Sequence, residues 1–399
     1  MSKIYLVVPR LIKQPTWGGQ FIVNTKTWHH KRLFRNLKIG QSYEIFSESK
    51  LRSDINSTKD PSFTGELGCA MEPNKILYDG DKERLVSLKS LIKENPMAVL
   101  GLKAVKKYGP EIKILIKLTQ AKGNSFQIHV RERDSSNKWH YKSESWYYFN
   151  PGLLTLGVKK GIDWNKYKGC CLEINQKMEN LSSQVKLGKM NLAQAKKTAQ
   201  KLIRKCNPWQ YVNMVETKGN DSIDLSSGGL HHSWEEDSKK CPKGNILYEL
   251  CLDVMDPISV LRCFDKGKFE DNGSLRKLDI DDYFKYIDRS ERTNNPKTRK
   301  IKPKILFKQK GVEAQSLLRT KYYALDRFVT ASKYSGEFTK LNDSFHHLFV
   351  KTGEAEIVYN DFRVIVTSGH SCFIPASIGR YEIISKSKVP VEILKTFIT

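Results

Sequence analysis

The segment from residue 348 to 397 constrains the fold most. Its hydrophobic runs are short and evenly spaced, at 348–350, 355–359, 362–366, 372–374, 381–384 and 391–397. Between them stand Thr352-Gly353, Asn360-Asp361 and Ser368-Gly369, residue types that accept the dihedral angles of tight turns. Many short strands joined by regular turns predict a sandwich or a small barrel.

Upstream, strand signals alternate with helical ones. Residues 111–118 mix charged and apolar positions, as a strand with one well-buried face does, and 125–130 and 146–149 follow with polar loops between them. Between Tyr78 and Gly101 the spacing of Leu85, Leu88, Leu91 and Ile92 predicts a helix. From about Glu173 to Lys205 the pattern is helical again, with Asn191 as an N-cap ahead of Leu192, Ala195, Ala199, Leu202 and Ile203. Strand signals return at 246–252 and 260–264, and a helical stretch lies near 280–287. Lys297 to Lys304, beside Pro296 and Pro303, reads as a solvated linker.

At 399 residues, 39% of them hydrophobic, the chain can bury more than one core and is too apolar to be disordered. No apolar stretch approaches a membrane span. The opening residues, Met1 to Arg10, read as a first strand rather than a signal peptide, so the expected location is the cytoplasm. The chain is separately expected to be a monomer. Eight cysteines without a CxxC pair predict reduced thiols, not a disulfide framework or a cysteine-bound zinc. The net charge of +25, from 68 Lys and Arg against 43 Asp and Glu, would attract nucleic acid, an anionic membrane or small phosphorylated substrates. It is spread along the chain as lysine without a nucleic-acid-binding motif, so nucleic acid is the weaker reading.

Three segments carry residues suited to chemistry: Gly123-Asn124-Ser125-Phe126-Gln127-Ile128-His129, Lys142-Ser143-Glu144-Ser145-Trp146-Tyr147, and Ser227-Gly228-Gly229-Leu230-His231-His232. Residues two apart on a strand share a face, so Gln127 and His129 project together while Phe126 and Ile128 pack behind them. A polar pair facing a core needs partners. Glu144 and His231 would supply a carboxylate and a second imidazole, and two histidines with a glutamate are a common catalytic zinc set. His232 is the rival of His231, because neighbouring histidines cannot share one strand face. Spacing by itself also fits unrelated buried histidines.

In chain order these segments resemble the landmarks of the type I mannose-6-phosphate isomerases, a family of the cupin superfamily. Pro15-Thr16-Trp17-Gly18-Gly19 matches the family's Trp-Gly-Gly opening, and Gly40-Gln41-Ser42-Tyr43-Glu44-Ile45-Phe46-Ser47 is similar to its Gly-Glu-x-Trp-Glu-x-Ser motif. Leu115-Ile116-Lys117, Gln127-Ile128-His129 and Lys142 through Tyr147 resemble its lysine strand, its zinc-binding Gln-Val-His and its Lys-x-Glu-x-Trp-Tyr motif. Further on, Ser226 to His231, Leu247-Tyr248-Glu249-Leu250, Leu261 to Asp265, Arg276 to Asp279 and Gly369 to Pro375 take their places in the family's order. There are departures: Val130-Arg131-Glu132-Arg133-Asp134 replaces an acidic Pro-Asp-Asp, serine and glycine replace Pro-Ala-Gly-Thr, and Gln41 stands where a glutamate is usual.

The resemblance implies a mainly β chain with helical insertions, built as two cupin-like (jelly-roll) β-barrels plus a helical region. The catalytic barrel is expected from 1–150 and 206–265, the helical insertion and linker from 151–205 and 266–305, and a second barrel from 306–399. That second barrel is expected to be metal-free, since Tyr381 follows Ile374-Pro375-Ala376 in place of a ligand histidine and His346 and His347 are adjacent. One zinc ion would be held by Gln127, His129, Glu144 and His231. The implied reaction interconverts mannose 6-phosphate and fructose 6-phosphate through a cis-enediolate, with Lys117, Lys142 and Arg262 around the substrate and Glu249 as the proton carrier. The alternative expectation is a divergent bicupin that binds a sugar phosphate without efficient turnover.

Overall fold

The computed structural model describes residues 3–399 except 27, 71, 81–83, 227, 234–238 and 339–342. Met1 and Ser2 of the expected opening strand and Ser227 of the third candidate segment therefore lie outside the described residues. The chain is mainly β with helical insertions, as expected. Its strands fall into four sheets, none of them closed among the described residues, where two cupin-like (jelly-roll) barrels are expected.

The sheet that matters most for the site has nine strands. In spatial order they are Lys300–Ile301, Ser222–Asp224, Glu144–Tyr148, Asn245–Leu252, Ile114–Ala121, Ile39–Ile45, Arg10–Lys13, Glu66–Cys69 and Glu72–Asp79. Facing it is a five-stranded sheet in the order Val212–Thr217, Gly152–Val158, His231–Ser233, Phe126–Ile128 and Leu261–Phe264. Trp146, Tyr148, Ile223 and Leu247 of the first pack against Leu154 and Leu156 of the second, closing one end of the space between them.

Ile114–Ala121 shows why the nine-stranded sheet sits at the centre. It is buried along its whole length, with Ile114, Ile116 and Leu118 in the main core and Leu115, Lys117 and Thr119 on the opposite face. The main core is shared with a second nine-stranded sheet, through residues such as Tyr248, Phe349 and Ile393. Tyr248 and Phe349 pack with ring centroids 5.3 Å apart. That second sheet includes Val391–Ile398, His346–Thr352 and Ser371–Ile374, and a four-stranded sheet built around Glu354–Tyr359 covers its other side.

The hydrogen-bonding order crosses the expected segment boundaries. Tyr5–Val8, grouped by sequence with the first barrel, pairs with Ser371–Ile374 of the last segment, Tyr5 opposite Phe373. All four of its residues are buried, which an apolar run without alternation requires. Gly152–Val158, grouped with the helical region, is a strand between Val212–Thr217 and His231–Ser233.

The helices back the five-stranded sheet. Trp164–Lys186 and Leu192–Cys206 pack with Ile280–Tyr286 against Phe126, Ile128, Leu261 and Phe264. Asn191 caps the second helix with a reciprocal pair: its side chain accepts from the Gln194 amide at 2.9 Å, and Gln194 Oε1 accepts from the Asn191 amide at 3.2 Å. Ala195, Ala199 and Ile203 are the buried stripe. The helix expected between Tyr78 and Gly101 begins only at Leu88, because Ser87 caps it, and Asn95 then divides it into Leu88–Glu94 and Pro96–Leu100. The expected solvated linker is also corrected in part. Arg299 is 4% exposed, and Lys300–Ile301 adds a strand to the nine-stranded sheet beside Ser222–Asp224.

Candidate metal centre

Strand register brings the scattered candidates together. On the five-stranded sheet Gln127 stands opposite His231 on one side and Arg262 on the other. On the facing sheet Trp146, Glu249, Lys117 and Tyr43 are successive cross-strand partners. Glu144 is two residues before Trp146, on the same face. Phe126 and Ile128 point instead into the helical core.

His129, Glu144 and His231 are all buried, and one ligand atom from each lies within 4.8 Å of the others. His129 Nε2 is 3.0 Å from Glu144 Oε2, while its Nδ1 lies 2.7 Å from the Ser259 carbonyl. A carbonyl only accepts, so Nδ1 donates to it and Nε2 is the ring nitrogen left facing the carboxylate. His231 repeats this arrangement, with Nδ1 3.2 Å from the Gly229 carbonyl. Burial, reinforced by His129, pushes the His231 imidazole down to about 3, so it is neutral at physiological pH. Two imidazole nitrogens and a carboxylate oxygen converge, the donor types that could hold a divalent cation.

The remaining expected ligand needs one adjustment. Gln127 presents its amide nitrogen to His231 Nε2 at 3.2 Å, and its Oε1 accepts from Ser125 Oγ at 3.1 Å. Rotating the amide by half a turn would bring the oxygen to the ion and leave the nitrogen to donate to Ser125. His232 faces away: it packs on Phe126 with centroids 4.9 Å apart, and its Nδ1 is 3.3 Å from Thr155 Oγ1.

Glu144 is held charged. Burial alone would raise its carboxyl, but His129, Lys142 and Lys117 keep it well below the ordinary range. Trp146 Nε1 donates to its Oε1 at 2.8 Å. Glu144, Glu249 and Cys251 form a second metal-sized group. Burial pushes the Cys251 thiol up to about 12, so it offers no thiolate and the histidine-bearing group is the better donor set.

The structure pairs the expected substrate cations with acids. Lys117 Nζ lies 2.6 Å from Glu249 Oε1, and Thr119 donates to the other carboxylate oxygen at 2.9 Å. Lys142 reaches Asp256 at 3.1 Å and Glu144 at 3.7 Å. Burial raises the Glu249 carboxyl despite Lys117, helped by the charge of Glu144. Arg262 lies 3.8 Å from Asp256, and its Nε is buried without a partner among the described residues. These groups line a cavity of about 70 Å³ together with Gln14, Trp17, Gln41 and Arg276. Asp256 is a site residue that sequence reasoning missed, since a lone acid in a loop carries no periodic signal. Arg276 belonged to a matched motif but had been given no role.

Comparisons with known proteins agree with this geometry at the level of the fold. No family model matches the chain, and no curated protein matches it by sequence. Solved structures do. The mannose 6-phosphate isomerase from Bacillus subtilis superposes with a TM-score of 0.63 at 15% identity over 99% of each chain. A putative mannosephosphate isomerase from Archaeoglobus fulgidus gives 0.62 at 15% identity, covering 100% of this chain and 98% of that one. A zinc-bound mannose 6-phosphate isomerase gives 0.64 at 13% identity over the whole of both chains. The resemblance to the mannose-6-phosphate isomerase family thus holds in the fold.

Proposed function

We propose that this chain, which shares the fold of the mannose-6-phosphate isomerases, is a zinc-dependent aldose–ketose isomerase acting on mannose 6-phosphate and fructose 6-phosphate. The observation that carries the reading is the convergence of His129, Glu144 and His231 with both imidazole Nδ1 atoms committed to backbone carbonyls. Gln127, through its amide oxygen, would complete the set. A bound zinc would supply a Lewis acid for the oxygens at C1 and C2, favouring the negative charge of a cis-enediolate.

The protein's own groups do the rest. Glu249 carries the proton between C1 and C2. Its raised carboxyl suits a group that must take up and return a proton near neutral pH, and Lys117 and Thr119 fix its orientation. Lys142 lies deep in the cavity, while Arg262 and Arg276 are progressively more exposed, with side chains 13% and 28% accessible. The reacting end of an open-chain sugar therefore enters beside Lys142 and Glu249, and its phosphate stays at the mouth, where arginine can bind it bidentately.

A coupled assay for fructose 6-phosphate formed from mannose 6-phosphate, run with and without chelator, tests this reading. Turnover that chelator abolishes and zinc restores is expected. The alternative, a protein that binds a sugar phosphate without turning it over, draws on the prior pairing of Lys117 and Lys142 with acids. It predicts bound zinc and no turnover.

A further inference from the structure

A second and larger cavity, about 780 Å³, is lined by the residues just after His129 and by residues between 288 and 299, and its lining is rich in arginine. Arg131, Arg133, Arg292 and Arg299 line it with Asp224 and Asp288. Its acids are already engaged. Asp288 accepts from the Ser290 amide at 2.7 Å and from Thr293 Oγ1 at 3.2 Å, and Asp224 accepts from the Ser226 amide at 2.9 Å. Glu132, also at the cavity, binds Lys321 at 2.8 Å and the Tyr322 hydroxyl at 2.7 Å.

The arginines are only partly satisfied. Arg131 donates to Asp134 at 2.5 Å and lies 3.6 Å from Asp288. Arg133 and Arg292 are exposed and have no ion-pair partner among the described residues. Arg299 is buried, with 4% of its surface exposed; its Nε donates to the Asp224 carbonyl at 3.0 Å and its NH1 to the Leu230 carbonyl at 3.4 Å. The remaining nitrogen, NH2, is buried with no partner among the described residues. An unpaired buried guanidinium nitrogen is costly, and an anion in the cavity would satisfy it.

We propose that this cavity is a second anion site, separate from the metal centre, that takes a small phosphorylated molecule on Arg133, Arg292 and the free nitrogen of Arg299. Planar guanidinium forks match phosphate oxygens, and the volume suits a metabolite-sized ligand. The two glycines before Leu230 leave room for the arginines. Gly228 has φ +77°, and a Cβ there would stand 2.8 Å from Arg131 Cγ; a Cβ on Gly229 would stand 2.6 Å from Arg299 NH1. The serine-and-glycine segment and the arginines after His129, both departures from the family pattern, meet at this cavity.

Equilibrium dialysis of radiolabelled orthophosphate against the full-length protein, at fixed ionic strength, tests the assignment. R262A removes a cation of the catalytic cavity, and this second site should persist in it. The double variant R133A/R292A changes only exposed side chains and should weaken the second site at least tenfold, with an unchanged thermal midpoint showing that it is folded. R299K, which keeps the charge but loses the fork, should weaken it as well. Binding in R133A/R292A equal to wild type, or complete loss of phosphate binding in R262A alone, overturns the proposal.

Discussion

Lys117 and Glu249 stand directly opposite each other on neighbouring strands, with Nζ 2.6 Å from Oε1, inside the cavity that Gln127 and Glu144 also line. The pair belongs to the proposed proton-transfer step rather than to metal binding. Glu249→Gln should therefore keep bound zinc and lower kcat by roughly 10²–10⁴-fold, the usual loss on removing a general acid–base group. Metal analysis beside steady-state kinetics checks this. Loss of zinc in this variant would move Glu249 into the ligand set.

The adjacent histidines give a sharper contrast. His231→Ala should lose the metal. His232→Ala should retain it and lose stability by about 2 kcal/mol or more, because His232 packs on Phe126 in the helical core and its removal leaves a void. Zinc content and urea unfolding of both variants separate the two roles. Equal loss of zinc from both would contradict the assignment of faces.

Much of this site was legible in the sequence, for a definite reason. Alternation along Phe126–Ile128 states which side chains share a face, and the order of motifs states which strands supply the rest. Pairing across strands is not written locally. Nothing near Lys117 names Glu249, far along the chain, as its cross-strand partner, so a substrate cation is expected from sequence where a buried ion pair stands. The start of the long helix at Trp164 was missed because its buried stripe opens with Tyr167, Cys170 and Cys171 and is interrupted by Gly169, weak helical signals beside the Leu–Ala pattern after Asn191. The opening strand Tyr5–Val8 was recognised as a strand, but only the folded chain shows that its partner is Ser371–Ile374.

The capping pair at Asn191 should matter to stability alone. Asn191→Ala is expected to cost about 1 kcal/mol in chemical denaturation, with zinc content unchanged. A metal loss in this variant would tie the helical layer to the site more closely than the contacts through Phe126 and Ile128 imply.

Acid should destabilise the protein through histidines outside the candidate metal centre. Burial, with Lys26 nearby, pushes His347 down to about 3 from an ordinary 6.5, and burial holds His346 and His370 well below their ordinary value. The unfolded chain then binds more protons than the folded one between those values. Their stabilising contribution is complete above pH 6.5 and is lost as pH falls toward the folded values, by up to about 1.4 kcal/mol per pH unit for each histidine. His347→Gln should flatten the stability profile between pH 6.5 and 5 relative to wild type. An unchanged slope would show that His347 is not held neutral.

The most direct test of the account is the zinc content of the purified full-length protein and of Glu144→Ala, measured by elemental analysis with circular dichroism as the control for folding. One zinc per chain in the wild type, and almost none in a folded Glu144→Ala, is the predicted result. A wild-type chain that binds no divalent ion, or a Glu144→Ala variant that keeps its zinc, would contradict a centre built on His129, Glu144 and His231.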